Sequence, residues 1–109
     1  MTEVFDALAQ PHRREIMRLL AHGEQSVGAL ASRFDVSQPA VSQHLAVLRD
    51  AGLVTDRREG TRRLYRVRHE GLTDLHNFLA EVMPAGLERL KQAAEAEERG
   101  RGGRAARRN

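Results

Sequence analysis

The hydrophobic period of this chain changes at Ala51-Gly52, and that change limits what it can fold into. Before it, apolar residues recur at helical spacing. After it, they fall into two short strand-like runs and then return to helical spacing. Several helices, one hairpin and a closing helix leave few small architectures open. A chain of 109 residues suits one domain, burying roughly two-thirds of its extended surface.

The segment Thr2 to Gln10 carries Val4, Phe5 and Leu8 on one helical face. Pro11 disfavours helix at Gln10 but fits the first turn of a second helix. That helix runs to about Ala21, with Ile16, Leu19 and Leu20 inward and Gly23 able to cap its end. Ser26 is an N-cap for a third helix, Val27 to Phe34, which turns Leu30 and Phe34 inward. After Asp35-Val36, Ser37 caps a fourth helix with Pro39 in its first turn. Val41, Leu45 and Leu48 fall within about 60° of one another on the wheel. Ala51-Gly52 ends this helix.

Leu53-Val54-Thr55 and Arg62 to Arg68 read as two short strands, with Tyr65 and Val67 on one face. Arg57-Arg58-Glu59-Gly60-Thr61 forms the hairpin tip, and Gly60 supplies a positive φ. A long helix starts near Glu70. Its stripe is Leu72, Leu75, Leu79 and Val82, extended by Met83, Leu87 and Leu90, and Pro84 should kink or break it. Residues 92–98 are helix-prone without a large apolar stripe and should fray. The expected fold is mainly α with a small β-hairpin, in the order α-α-α-α-β-β-α: a winged helix-turn-helix. Residues 1–98 form the expected folded domain. Residues 99–109 form an Arg/Gly-rich tail expected to be disordered.

The net charge of +3 conceals sectors of opposite sign. Residues 27–68 carry eight Arg against four acids, residues 69–98 two bases against seven acids, and residues 99–109 five Arg and no acid. With no Cys, disulfides, thiolate metal sites and cysteine nucleophiles are excluded. No apolar run approaches the ~18 residues of a membrane span. The acidic, amphipathic N-terminus does not read as a signal peptide. The expected location is the cytoplasm, on the nucleoid.

The fourth helix and the hairpin carry the functional pattern. An α-helix fits the DNA major groove and can offer short polar groups to base edges. A preceding helix braces it across the backbone. Helix 38–51 presents Gln38, Ser42, Gln43 and His44, with Ser37 and Pro39 at its start, Arg49 near its end, and no acid before Asp50. The wing holds six Arg against one Glu over residues 57–68. Of these, Arg57, Arg58, Arg62 and Arg63, at residues 57–63, are the candidates for phosphates or the minor groove. No catalytic residues are assigned. Ser42 and His44 point apart with no orienting acid, Glu95, Glu97 and Glu98 read as solvated charges, and there is no Gly-rich phosphate loop.

These residues resemble the ArsR/SmtB family of bacterial transcriptional repressors. The matching segments are Asp6-Ala7-Leu8-Ala9, Pro11 to Ile16 and Val27 to Ala31. The most specific run extends from Ser37 to Val54, followed by the wing Arg58 to Tyr65. The likeness covers about residues 3–80. It implies a homodimer whose first and last helices form the interface and whose reading helices enter successive major grooves of an inverted-repeat operator in double-stranded DNA. On that basis Val4, Phe5, Leu8, Leu72, Leu75, Leu79, Val82 and Met83 are the expected dimer residues. The leucine stripe separately asks for a partner, since it offers more apolar edge than a chain of this size covers.

The family's Cys-x-Cys metal motif is absent. Asp74-Leu75-His76 copies half of a second family motif, but the other half would fall near the apolar Leu87 and Leu90, so no metal or cofactor is assigned. His76 then reads as an interface-edge residue, while His12, His22 and His69 lack a spacing that requires a metal. The leading reading is a metal-independent autorepressor with an inducer the residues do not identify. A metal-gated repressor using His and carboxylates and an architectural DNA-coating protein are the alternatives.

Overall fold

Side-chain caps set three of the helix starts. In the computed structural model, which describes residues 2–83 and 89–99, Gln10 Oε1 accepts from the Arg13 amide at 3.1 Å. Ser26 Oγ accepts from Ala29 at 3.1 Å and Ser37 Oγ from Ala40 at 3.2 Å. Each satisfies an amide that the first helical turn leaves without a partner. The helices are α1 (Thr2–Leu8), α2 (Pro11–Leu20), α3 (Val27–Ala31), α4 (Gln38–Asp50) and α5 (Thr73–Val82). Residues 89–99 are also helical. Pro84 and Leu87, and with them the expected kink, lie outside the described residues, as does the tail beyond Arg99.

The strands are β1 (Gln25–Ser26), β2 (Val54–Glu59) and β3 (Arg62–Val67), antiparallel in the order β1-β3-β2. Strand β1 was not expected. It has two polar residues and no alternation, and it exists because β3 has a free edge, where Gln25 faces Tyr65 and Ser26 faces Leu64. The hairpin is also tighter than its residues suggest. Pairing continues to Glu59↔Arg62, so Arg57 and Arg58 are strand residues and only Gly60-Thr61 turns. Gly60 has φ +62°, and no non-glycine residue has a positive φ among the described residues. This is the type II′ pattern that suits the strand twist. Helix α3 stops at Ala31, because the amides of Arg33 and Phe34 bond three residues back, to Leu30 and Ala31. Helix α5 starts at Thr73, after a 3-10 turn over His69–Leu72.

The chain divides into two units, Met1–Leu75 and His76–Asn109. The first holds a core in which Ile16, Leu30, Val41, Leu45, Leu48 and Leu53 are almost wholly buried, closed by Val54 and Tyr65 from the hairpin. Burying a side chain of this kind contributes about 1.5–3 kcal/mol. Two arginines of α2 complete the end of α1: Arg13 Nε donates to the Ala7 carbonyl, and Arg14 Nη1 donates to those of Leu8 and Ala9. Where α4 hands over to the hairpin, Gly52 has φ +79° and Gly71 crosses it so closely that a Cβ there would lie 1.9 Å from the Gly52 oxygen. In the second unit Leu79, Val82, Met83 and Leu90 are exposed. Among the described residues no helix is long and apolar enough to cross a membrane.

Candidate nucleic-acid interface

Helix α4 separates its two faces cleanly. Val41, Leu45 and Leu48 are at 0% exposure, while Ser37, Gln38, Pro39, Ser42, Gln43 and Arg49 are exposed. The apolar stripe therefore fixes which side chains face outward. Among the described residues no side-chain hydrogen bond or ion pair engages Gln38, Ser42, Gln43 or Arg49, so their capacity is uncommitted. His44 differs. It is half-buried against α2, with its Nδ1 3.4 Å from Arg13 Nη1 and its ring 5.7 Å from that of His12.

The four wing arginines are exposed but unequal. Arg57 makes a two-pronged pair with Glu24, Nε to Oε2 and Nη2 to Oε1, both 2.9 Å, and also meets Glu59 at 3.0 Å. The hydrogen bond from Arg57 holds the Glu24 carboxyl below its ordinary range, and Glu24 followed by Glu59 holds the guanidinium above its own. Arg63 bonds Asp56 across the hairpin and is shifted up by that carboxylate. Arg62 lies 3.5 Å from Glu59. Arg58 has no ion pair among the described residues. Arg68, a sixth wing arginine, donates to the Gly52 carbonyl at 3.2 Å and so braces the root of the hairpin.

The start of α3, the start of α4 and the hairpin tip meet at a groove of about 380 Å³, lined by Ser26, Val27, Gly28, Gln38, Thr61, Arg62 and Arg63. The structure thus brings Gln38 together with Arg62 and Arg63. Ser26, Gly28 and Thr61 join them there, and no local sequence pattern marks these three as groove residues. Such a surface, mixed in donors and acceptors and rimmed by guanidinium groups, suits phosphate oxygens and base edges.

The remaining candidates are dispersed. Val4 is 7% exposed in the chain's own core, leaving little of it for a partner. Leu8, Leu72 and Leu75 pack against that core and are half-buried, whereas Phe5, Leu79, Val82 and Met83 are exposed. Among the described residues no group of three or more His, Asp or Glu could hold a metal ion.

Three helices leading to a two-faced fourth helix, followed by an Arg-bearing hairpin on a three-stranded sheet, make this a winged helix-turn-helix protein. The family model described as "Bacterial regulatory protein, arsR family" matches residues 10–56. The HTH-type transcriptional regulator Rv2034 of Mycobacterium tuberculosis is 53% identical over 78 residues, covering 68% of this chain and 73% of its own. The transcriptional repressor SdpR of Bacillus subtilis is 34% identical over 86 residues, covering 79% of this chain and 96% of its own. Among solved structures, the homodimeric winged helix-turn-helix DNA-binding domain of a possible ArsR-family regulator from Mycobacterium bovis superposes with TM-score 0.63 at 38% identity, over 81% of this chain and 82% of that one. The chain belongs to the arsR family of bacterial regulatory proteins. The family is described as bacterial regulatory proteins, and the two relatives are named as a transcriptional regulator and a transcriptional repressor.

Proposed function

We propose that this protein is a homodimeric, sequence-specific DNA-binding repressor that acts on an inverted-repeat operator in the cytoplasm, its own promoter included. The observation that carries this reading is the groove that unites Gln38 of α4 with Arg62 and Arg63 of the wing on one exposed surface. Gln38, Ser42 and Gln43 read base edges, Ser37 meets a phosphate, and the wing arginines contact the backbone or the minor groove. Leu79, Val82 and Met83, exposed in one chain, meet their copies about a two-fold axis, which spaces the reading helices about one DNA turn, ~34 Å, apart. Residues 1–98 act as the binding and dimerisation domain, and the Arg/Gly-rich residues 99–109 add affinity without choosing sequence.

Footprinting on the promoter of its own gene tests the reading: a discrete palindromic footprint supports it, and uniform coverage overturns it. Sedimentation tests the dimer. Leu79→Glu places an unpaired charge in the seam twice, so this variant should sediment as a monomer and lose the footprint.

A further inference from the structure

The junction of α2 with α4 holds a set of titratable groups that the polar face of α4 does not use. Gln10 Oε1 is taken by the Arg13 amide at 3.1 Å, which orients the amide and turns Nε2 toward His12 Nδ1 at 3.2 Å. An amide NH₂ only donates, so that ring nitrogen accepts. Arg13 donates Nε to the Ala7 carbonyl at 2.6 Å and Nη2 to that of Asp6 at 3.4 Å, and presents Nη1 to His44 Nδ1 at 3.4 Å. A guanidinium has five N–H groups and no acceptor, so His44 Nδ1 accepts as well. A neutral imidazole whose Nδ1 accepts carries its proton on Nε2.

We propose that Arg13 and His44 form a neutral-imidazole latch that seats α4 on α2, and that protonation of His44 opens it. The latch itself stands on the geometry of the junction; its consequence for operator binding rests on the reading of α4 given above. A proton on His44 Nδ1 would set N–H against N–H and positive charge against guanidinium. The groups facing His44 favour the neutral ring. From α2 these are Arg13 and His12; α1 reaches the same guanidinium only through the Asp6 and Ala7 carbonyls; and Phe34, in the loop before α4, meets His12 edge-on at 5.6 Å. No carboxylate is bonded to His12, Arg13 or His44 among the described residues. Burial, then the charge of Arg13, then that of His12, hold His44 below the ordinary imidazole range.

The sign of the pH dependence follows. Above the ordinary value of about 6.5 the ring is neutral in the folded and the unfolded chain, and the latch is closed. As pH falls below that value the unfolded chain takes up the proton first, so the folded state loses stability until its own ring is protonated. The seat of α4 loosens over the same interval.

Ring-nitrogen NMR on the full chain between pH 5 and 8 tests the latch without DNA. His44 should be the Nε2–H tautomer and protonate below the ordinary value. An Nδ1–H tautomer, or protonation at or above the ordinary value, overturns the proposal. In His44→Asn, Oδ1 replaces Nδ1 as acceptor and cannot titrate. Its melting temperature and operator affinity should vary less between pH 7.5 and 5.5 than those of the wild type. Wild-type affinity should fall by up to about tenfold per pH unit for each His44 that must stay neutral. Equal pH dependence in the two proteins overturns the latch. Should His44→Asn fail to fold, the wild-type NMR result decides alone. Absence of a wild-type footprint at pH 7.5, where the latch is closed, defeats the DNA reading instead and leaves the NMR result to judge the latch.

Discussion

Helix α4 and the wing both present polar surface, but they hold it in opposite ways. On α4 three apolar residues at 0% exposure fix the backbone, and the outward Gln38, Ser42, Gln43 and Arg49 are left uncommitted. On the wing the backbone is held by strand pairing, and three of the four candidate arginines at residues 57–63 are already engaged by acids: Arg57 by Glu24 and Glu59, Arg63 by Asp56, Arg62 by Glu59. A helix buried along one stripe frees its other face for recognition. The outer part of the hairpin, residues 57–63, is exposed and has no apolar residue, so it uses some of its charge to hold its shape. If the wing meets DNA as proposed, counting arginines overstates what it can offer, and Arg58, without an ion pair among the described residues, should count for more than its paired neighbours.

The largest test of this contrast is to remove the backing of α4. Leu45→Ala deletes side-chain volume at a position of 0% exposure and should cost about 2–5 kcal/mol of stability in denaturant unfolding. A loss below about 1 kcal/mol would show that α4 is not held by its stripe. Gly71→Ala should also destabilise, because its Cβ meets the backbone of Gly52 at 1.9 Å and only a shift between the end of α4 and the 3-10 turn relieves it. A melting temperature equal to the wild type's would contradict that crossing.

Next comes recognition. Gln43→Ala should cost roughly 1–3 kcal/mol on operator DNA and little on scrambled DNA, since a lost base contact relaxes specificity at one position per half-site. A titration in which the ratio of the two affinities is unchanged removes Gln43 from the reading face.

Smaller still are the wing substitutions, which act on salt dependence and not on sequence choice. Each phosphate contact contributes about 0.9 to the slope of log K against log salt. Arg58→Ala should make the slope shallower by about 1–2 for a dimer, with the operator-to-scrambled ratio preserved. Arg57→Ala should change it less, since that guanidinium is shared with two carboxylates. Equal effects from the two would mean that the ion pairs dissolve on contact with DNA.

The unequal legibility of the two regions has the same physical root. Helix α4 was legible because its determinants are local: Ser37 as cap, Pro39 in the first turn, and a stripe at helical spacing. Gly60 was legible for the same reason. The extension of β2 through Glu59 was not, because Asp56, Arg57, Arg58 and Glu59 have no apolar alternation and are held by register with β3. Nor was β1, whose two residues become a strand only beside Tyr65 and Leu64. The partner of Arg57 lies 33 residues away, and no spacing rule links Glu24 to it. The groove residues Ser26, Gly28 and Thr61, and the seat of His44 on Arg13, are likewise products of chain segments brought together by the fold.

The finest test releases the wing's charge without removing it. Glu24 sits outside the hairpin, just before β1, and takes both prongs of Arg57. Glu24→Gln keeps the size and one acceptor oxygen but removes the negative charge, leaving Arg57 with Glu59 alone. The guanidinium is then freer to meet a phosphate. Because exposed ion pairs contribute little to folding, stability should hardly move. The slope of log K against log salt should steepen by at most about 0.9 per subunit, with the gain in affinity largest at low salt. The operator-to-scrambled ratio should stay the same, because no base contact is added. If Glu24→Gln weakens binding, the pair is needed to aim Arg57 at the DNA, and the committed arginines of the wing are positioned for contact by their acids.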